Sequence, residues 1–306
     1  MLALSAVFLF CGCQQKQAPA ESTSAAVTED TTVPSTEEAR KRKENLETIL
    51  VLGLDKNEYP DDSRAYINDM QSDFNLVLVL DKDTNVCTPL LLNRDTMTEI
   101  IRLGVFGDEA GTFTGQLALA HTYGSGGSDS CINAKKVVSK FLGVPIDHYM
   151  SFTMDAVPTV NDAVGGVTVT VLDDFQDSQT LIKGETVTLM GQESLNYVRG
   201  RHGAGDQTNI SRMKRQEQYM SALIERLIAA AKEDQDLLTK LTLSLGDAFQ
   251  SDYTVNQLQK LADRLMEAKI EDFVTIEGEA KVGTEFMEFY PDQAALEKTI
   301  DEVFYQ

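Results

Sequence analysis

The chain has 306 residues, 42% of them hydrophobic, with 48 acidic against 27 basic side chains and a formal net charge of −21. That is enough length and apolar content for one large core of roughly 250 residues. The charge excludes general affinity for nucleic acid, and the three histidines show no pair at the helical spacing of a zinc site.

The start, Met1 to Phe10, is apolar but shorter than the ~18–20 residues of a membrane-spanning helix. It runs into Cys11-Gly12-Cys13 and then into polar Gln14-Gln15-Lys16, which resembles a bacterial lipoprotein signal with Cys13 as the lipidated residue. A truncated transmembrane anchor is the competing reading. Residues 14–45 are rich in Ala, Ser, Thr, Glu and Pro, too polar to offset their ordering entropy, so a disordered tether is expected there. One folded domain is then expected over 46–306, anchored at the N-terminus to the extracellular face of the cytoplasmic membrane. Past the signal only Cys87 and Cys131 remain. An exported protein can join them in a disulfide, with two buried free thiols as the alternative.

Thr48–Leu54 and Phe74–Leu80 are continuous apolar runs of the kind buried on both faces of a sheet. A turn at Asp81–Asn85 leads into Val86–Leu92, read as an antiparallel partner. Helices are expected at Gly115–Tyr123 and at Cys131–Leu142, the latter behind the capping cluster Ser128-Asp129-Ser130. Met154–Val164 reads as a helix ended by Gly165-Gly166, Val167–Leu172 and Thr186–Met190 as strands, and Gly191–Val198 as a further helix. Met213–Lys232, Leu237–Phe249 and Val255–Ala268 follow as helices, Phe273–Val282 and Phe286–Phe289 as strands, and Asp292–Phe304 as a closing helix. Strands that interleave with helices in this way predict an α/β fold: an α/β/α sandwich whose central mixed β-sheet is covered by helices on both faces.

Neither a Gly-x-x-x-x-Gly-Lys-[Ser/Thr] loop nor a Gly-x-Ser-x-Gly elbow is present. What remains is carboxylates and arginines. Asp55, Asp73 and Arg94-Asp95 stand at the ends of apolar runs, where α/β sheets collect their ligands. Four arginines, Arg199, Arg201, Arg212 and Arg215, crowd a short segment of an acidic protein. Guanidinium forks grip phosphate oxygens in pairs, and aspartates offer hard oxygens to Mg²⁺, so the combination suits an anionic, phosphate-bearing ligand. An ion-paired surface cluster is the plainer reading of either group alone. His202 and Asp206 lie beside the arginines.

Gly53-Leu54-Asp55, Ser72-Asp73, Asn93-Arg94-Asp95-Thr96-Met97 and the stretch Tyr197-Val198-Arg199-Gly200-Arg201, Asp206, Arg212 to Gln216 together resemble the LytR–CpsA–Psr family of cell-wall glycopolymer transferases. Asp162–Gly166 and Leu189–Leu195 are further landmarks of it. Phe74 and Asn93 stand where threonine and proline are usual. The resemblance implies transfer of a phosphate-linked glycopolymer from an undecaprenyl-pyrophosphate carrier to peptidoglycan, with the polyprenyl tail in an apolar groove and Mg²⁺ as cofactor. It assigns Asp55 and Asp73 to the metal. Arg94, Arg199, Arg201, Arg212 and Arg215 fall to the pyrophosphate, and Arg94, Asp95, Arg199 and Arg201 to catalysis. Hydrolysis of the same substrate, or polyprenyl-phosphate binding without catalysis, would use the same groups.

Overall fold

A computed structural model describes residues 41–60 and 67–306; the signal, Cys13 and most of the expected tether lie outside the described residues. The elements in chain order begin with β1 (Leu46–Leu54), β2 (Ser72–Asp81), β3 (Val86–Leu92), β4 (Met97–Leu103) and β5 (Glu109–Gln116). Next come α1 (Ser128–Leu142), β6 (His148–Phe152), α2 (Ala156–Ala163), β7 (Val167–Thr170), β8 (Thr186–Leu189), α3 (Gln192–Arg199) and α4 (Asn209–Glu233). The last are α5 (Leu237–Leu245), β9 (Phe249–Ser251), α6 (Val255–Glu267), β10 (Lys269–Ile270), β11 (Val274–Thr275), β12 (Gly278–Val282), β13 (Met287–Pro291) and α7 (Gln293–Phe304).

The main sheet runs β10-β3-β2-β1-β6-β9, with β11 also beside β3. It is mixed: β1 pairs antiparallel with β2 and parallel with β6, and β10 and β11 lie parallel to β3. The unbroken apolar run of β1 has a simple cause. Leu50, Leu52 and Leu54 pack with α1 and α7 on one face, while Ile49 and Val51 pack with Tyr253 and with Leu261 from α6 on the other. Both faces are therefore dry from Ile49 to Leu52, and that stretch is apolar throughout. Helices do cover both faces, as the sequence predicts.

Several elements depart from expectation. Gly115–Tyr123 is no α-helix: it is the end of β5 followed by a short 3-10 turn, Leu117–Thr122. The β4–β5 hairpin forms its own two-stranded sheet, and its outer half is exposed and polar, which hides it from an apolar-pattern reading. The single strand expected at Phe273–Val282 is broken, because the chain leaves the edge of the main sheet at β11 and pairs β12 with β13 instead.

The disulfide is corrected as well. Cys87 and Cys131 are both free and buried. Cys87 belongs to the core on the α6 face and Cys131 to the core on the α1 face, so the sheet separates them. Burial pushes both thiols up to about 12, which keeps them protonated and unreactive.

Candidate functional site

The end of β1 and the start of β2 meet at one rim of the sheet. Gly53 lies opposite Phe74 in the ladder, and a Cβ on Gly53 would sit 2.9 Å from the Phe74 Cβ, so the close approach requires glycine there. Just beyond, Asp55 and Gln71 lock the strand ends together: Asp55 N–H donates to the Gln71 carbonyl at 3.0 Å, and Gln71 N–H to Asp55 Oδ1 at 2.8 Å.

Asp73 is the hub of the cluster. Its Oδ1 pairs with Arg94 Nη1, and its Oδ2 accepts from Arg212 Nη1 at 2.7 Å. Arg94 reaches the site from the turn after β3, and Arg212 from the first turn of α4. The other Arg94 nitrogen, Nη2, donates to Gln71 Oε1 at 2.5 Å, and Nε lies 3.4 Å from Asp95 Oδ1. Arg212 also forks onto Asn209 Oδ1, at 3.0 Å from Nε and 2.6 Å from Nη2. Asn209 in turn donates to Asn93 Oδ1 at 2.7 Å, and that oxygen also caps Asp95 N–H at 2.9 Å. The two halves of the site, far apart in sequence, are thus sewn together by side-chain amides.

The electrostatics follow from burial. Arg212 is 3% exposed, and desolvation lowers its pKa against the pull of Asp73, though a guanidinium stays charged. Asp95, also 3% exposed, is raised chiefly by burial in spite of Arg94, Arg201 and Arg212 around it. Asp55 is raised first by burial and further by the Asp73 charge, against the lowering effect of the Gln71 N–H. Arg201 thus lies within electrostatic reach of Asp95 and Arg212. Arg199, the last residue of α3, is exposed and makes none of these contacts among the described residues. His202 is exposed, and Asp206 serves the turn before α4, where its Oδ1 accepts from Thr208 N–H at 2.9 Å and Thr208 Oγ1 at 2.7 Å.

Beside the cluster opens an apolar cavity of about 380 Å³. Gly53, Phe74, Leu76 and Leu78 form its floor, and Met220, Leu223, Ile224 and Leu227 of α4 its roof. At one end it is lined by Phe74, the residue after Asp73, and by Gln216, one helical turn on from Arg212, and it follows β2 for ~13 Å from Phe74 to Leu78. The apolar stripe of α4 therefore lines a cavity as well as packing against the β7–β8 hairpin, where Tyr219 is buried. Cys87 contributes to the wall.

The profile of the LytR_cpsA_psr family matches residues 10–304. The chain belongs to that family. A relative from Bacillus cereus, the polyisoprenyl-teichoic acid–peptidoglycan teichoic acid transferase TagU, is 32% identical over 194 residues, which are 62% of this chain and 56% of that protein. TagV of Bacillus subtilis, named for the same transfer, is 28% identical over 60% of this chain and 48% of its own. The chain therefore spans about half the length of the curated relatives it matches. In three dimensions, a crystal structure of B. subtilis TagV matches with a TM-score of 0.61 at 26% identity, over 85% of this chain and 97% of that one. The fold is that of LytR_cpsA_psr proteins.

Arg215, which the family resemblance places with the pyrophosphate arginines, is not joined to the Asp73 cluster. It is 0% exposed, and its Nη1 is spent on Asp173, its Nε on the Tyr197 carbonyl at 3.0 Å and its Nη2 on the Gly200 carbonyl. Its donors are committed to Asp173 and to the end of α3, whereas those of Arg212 face Asp73 and Asn209. Gln71 is the residue that sequence reasoning missed. It holds both Asp55 and Arg94, yet a lone glutamine before Ser72 carries no recognisable signal. As for a metal, no group of three or more His, Cys, Asp or Glu is placed to hold one among the described residues. Asp55 and Asp73 are near enough for their charges to interact, and a cation between them would relieve that repulsion. The pair fits a Mg²⁺ that draws most of its shell from phosphate oxygens and water.

Proposed function

We propose that this protein transfers a phosphate-linked glycopolymer from a polyprenyl-pyrophosphate carrier, undecaprenyl pyrophosphate in the bacterial membrane, to peptidoglycan. The observation that carries this reading is an apolar cavity that starts beside a buried arginine–aspartate cluster. A long hydrocarbon tail with a doubly anionic head fits that pairing of surfaces. The relatives' names supply the acceptor.

In this reading the tail occupies the cavity, and Arg94, Arg201 and Arg212 take the pyrophosphate oxygens, with Arg199 at the outer edge. A sugar hydroxyl of peptidoglycan attacks the phosphorus that bears the glycopolymer. The bond from that phosphorus to the bridging oxygen breaks, polyprenyl phosphate leaves, and a phosphodiester forms. Asp95, a carboxylate whose affinity for protons burial has raised, receives the hydroxyl proton. The arginines stabilise charge that grows on the phosphoryl oxygens, worth about 10²–10³ in rate for one such donor. Mg²⁺ held by Asp55 and Asp73 would add Lewis-acid neutralisation of the pyrophosphate. The carrier resides in a bilayer, which accords with attachment through Cys13 to the outer face of the cytoplasmic membrane; among the described residues no helix is long and apolar enough to cross one.

The test is incubation with a labelled lipid-pyrophosphate glycan, Mg²⁺ and peptidoglycan fragments. Label bound covalently to the fragments is the expected result. Label released into solution as free glycan phosphate would mean hydrolysis, and unreacted donor would mean binding alone.

A further inference from the structure

Helix α3 ends at Arg199, and its last carbonyls have no partners within the helix. Gly200 N–H takes the Asn196 carbonyl at 2.9 Å. Two more are taken from α4: Arg215 Nε donates to the Tyr197 carbonyl at 3.0 Å and Gln216 Nε2 to the Val198 carbonyl at 3.3 Å, while Arg215 Nη2 donates to the carbonyl of Gly200, just past the helix. Arg215 thus brings a buried positive charge to the negative end of α3, where the helix dipole favours it. Asp173, itself held by Ser211 Oγ at 2.6 Å, supplies the counter-charge. The Phe175 ring lies under the guanidinium at 5.2 Å.

The carbonyl of Gly200 belongs to the peptide that joins it to Arg201, and Arg199 precedes it. On the far side of the loop, Gln176 N–H donates to the Gly203 carbonyl at 2.8 Å and Gly205 N–H to the Asp174 carbonyl at 3.0 Å. The Arg199–Arg201 turn is therefore held at Gly200 by Arg215, and the loop that follows it is held at Gly203 and Gly205 by the 174–176 segment.

We propose that Arg215 is a positioning residue: by capping α3 from α4 it fixes the Arg199-Gly200-Arg201 turn and so aims those arginines at the phosphate ligand. This rests on the reading of Arg199 and Arg201 as phosphate-binding groups. Lysine cannot substitute, because a single ammonium on a flexible stem replaces three nitrogens held in one plane.

The experiment is a double-mutant cycle read by calorimetry with inorganic pyrophosphate and Mg²⁺ on the whole chain. Arg215→Lys should weaken binding about tenfold, the scale of one charge-assisted hydrogen bond. In an Arg199→Ala/Arg201→Ala background the same change should cost less than about twofold, because nothing is left to aim. An undiminished loss in that background would overturn the inference. Gly200→Ala gives a second route that leaves every donor of Arg215 in place. Its new Cβ would lie 2.8 Å from Phe175 Cε1 and 2.9 Å from the Asn196 carbonyl, so the turn must shift. It should reproduce the loss, and wild-type binding by Gly200→Ala would count against positioning even if Arg215→Lys does not fold. Pyrophosphate binding by a wild-type protein that performs no transfer would sink the proposed function and leave this inference standing.

Discussion

Asp73→Asn is the most revealing single change, because Asp73 neutralises two arginines at once. Asparagine keeps the shape and one acceptor, but it removes the charge and turns an N–H₂ toward a guanidinium. The side chains of Arg94 and Arg212 are 12% and 4% exposed, and that of Asp73 is 24% exposed. Breaking a fully buried pair costs about 3–5 kcal/mol; with water at the Asp73 edge, about 2–3 kcal/mol is expected here. For a domain of this size that is a fall in Tm of about 5–10 °C. Pyrophosphate should restore much of it. In the wild type the ligand must compete with Asp73 for the arginines, whereas in the variant it meets two uncompensated cations, so its stabilising effect should be larger. Thermal unfolding by circular dichroism, with and without pyrophosphate, reads both. A variant within about 1 °C of wild type, with an equal response to ligand, would refute the view of Asp73 as an internal stand-in for the phosphate.

Three further outcomes follow from the same geometry. Asp55→Asn should lose transfer yet be at least as stable as wild type at pH 7: the raised folded-state pKa means that ionised Asp55 costs stability once the pH rises through it, an advantage of the amide that should vanish below about pH 4 in chemical denaturation. His121, 0% exposed with Nδ1 against the Met70 carbonyl at 3.2 Å, is pushed down to about 4 by burial, so stability should fall by roughly 3 kcal/mol as pH drops from 6.5 to 4, and His121→Gln should flatten that slope in urea titrations. Met220→Trp places the chain's sole tryptophan in the cavity; it should weaken binding of long-chain polyprenyl phosphate at least tenfold, leave inorganic pyrophosphate unaffected, and report the difference through its own fluorescence.

Much of this was legible in the sequence. The doubly buried strands β1, β2 and β3 announce themselves as unbroken apolar runs, and Asp55, Asp73 and Arg94 do share the rim expected at their ends. The long α4 carries its period plainly, and its N-cap Thr208 accepts from Ser211 N–H at 3.1 Å. Other features are set by tertiary contacts that local pattern does not encode. β6 is five residues long and gains its place by lying parallel to β1 and antiparallel to β9. Arg212 and Arg215 stand three apart on one helix, and nothing local says that one faces Asp73 while the other caps α3. The Asn93–Asn209 bridge spans a sequence separation of 116, and Gln71 acts through its position between two strand ends. The disulfide failed for a related reason: cysteine count says nothing about which face of a sheet each thiol occupies.

The account stands or falls most directly on a crystal structure with a polyprenyl pyrophosphate and Mg²⁺. It predicts the pyrophosphate in contact with Arg94 and Arg212, Asp73 drawn from the arginines to the metal, and the first isoprene units between Phe74 and Leu223. A head group bound elsewhere, or a tail outside the cavity with Asp73 still paired to both arginines, would contradict it.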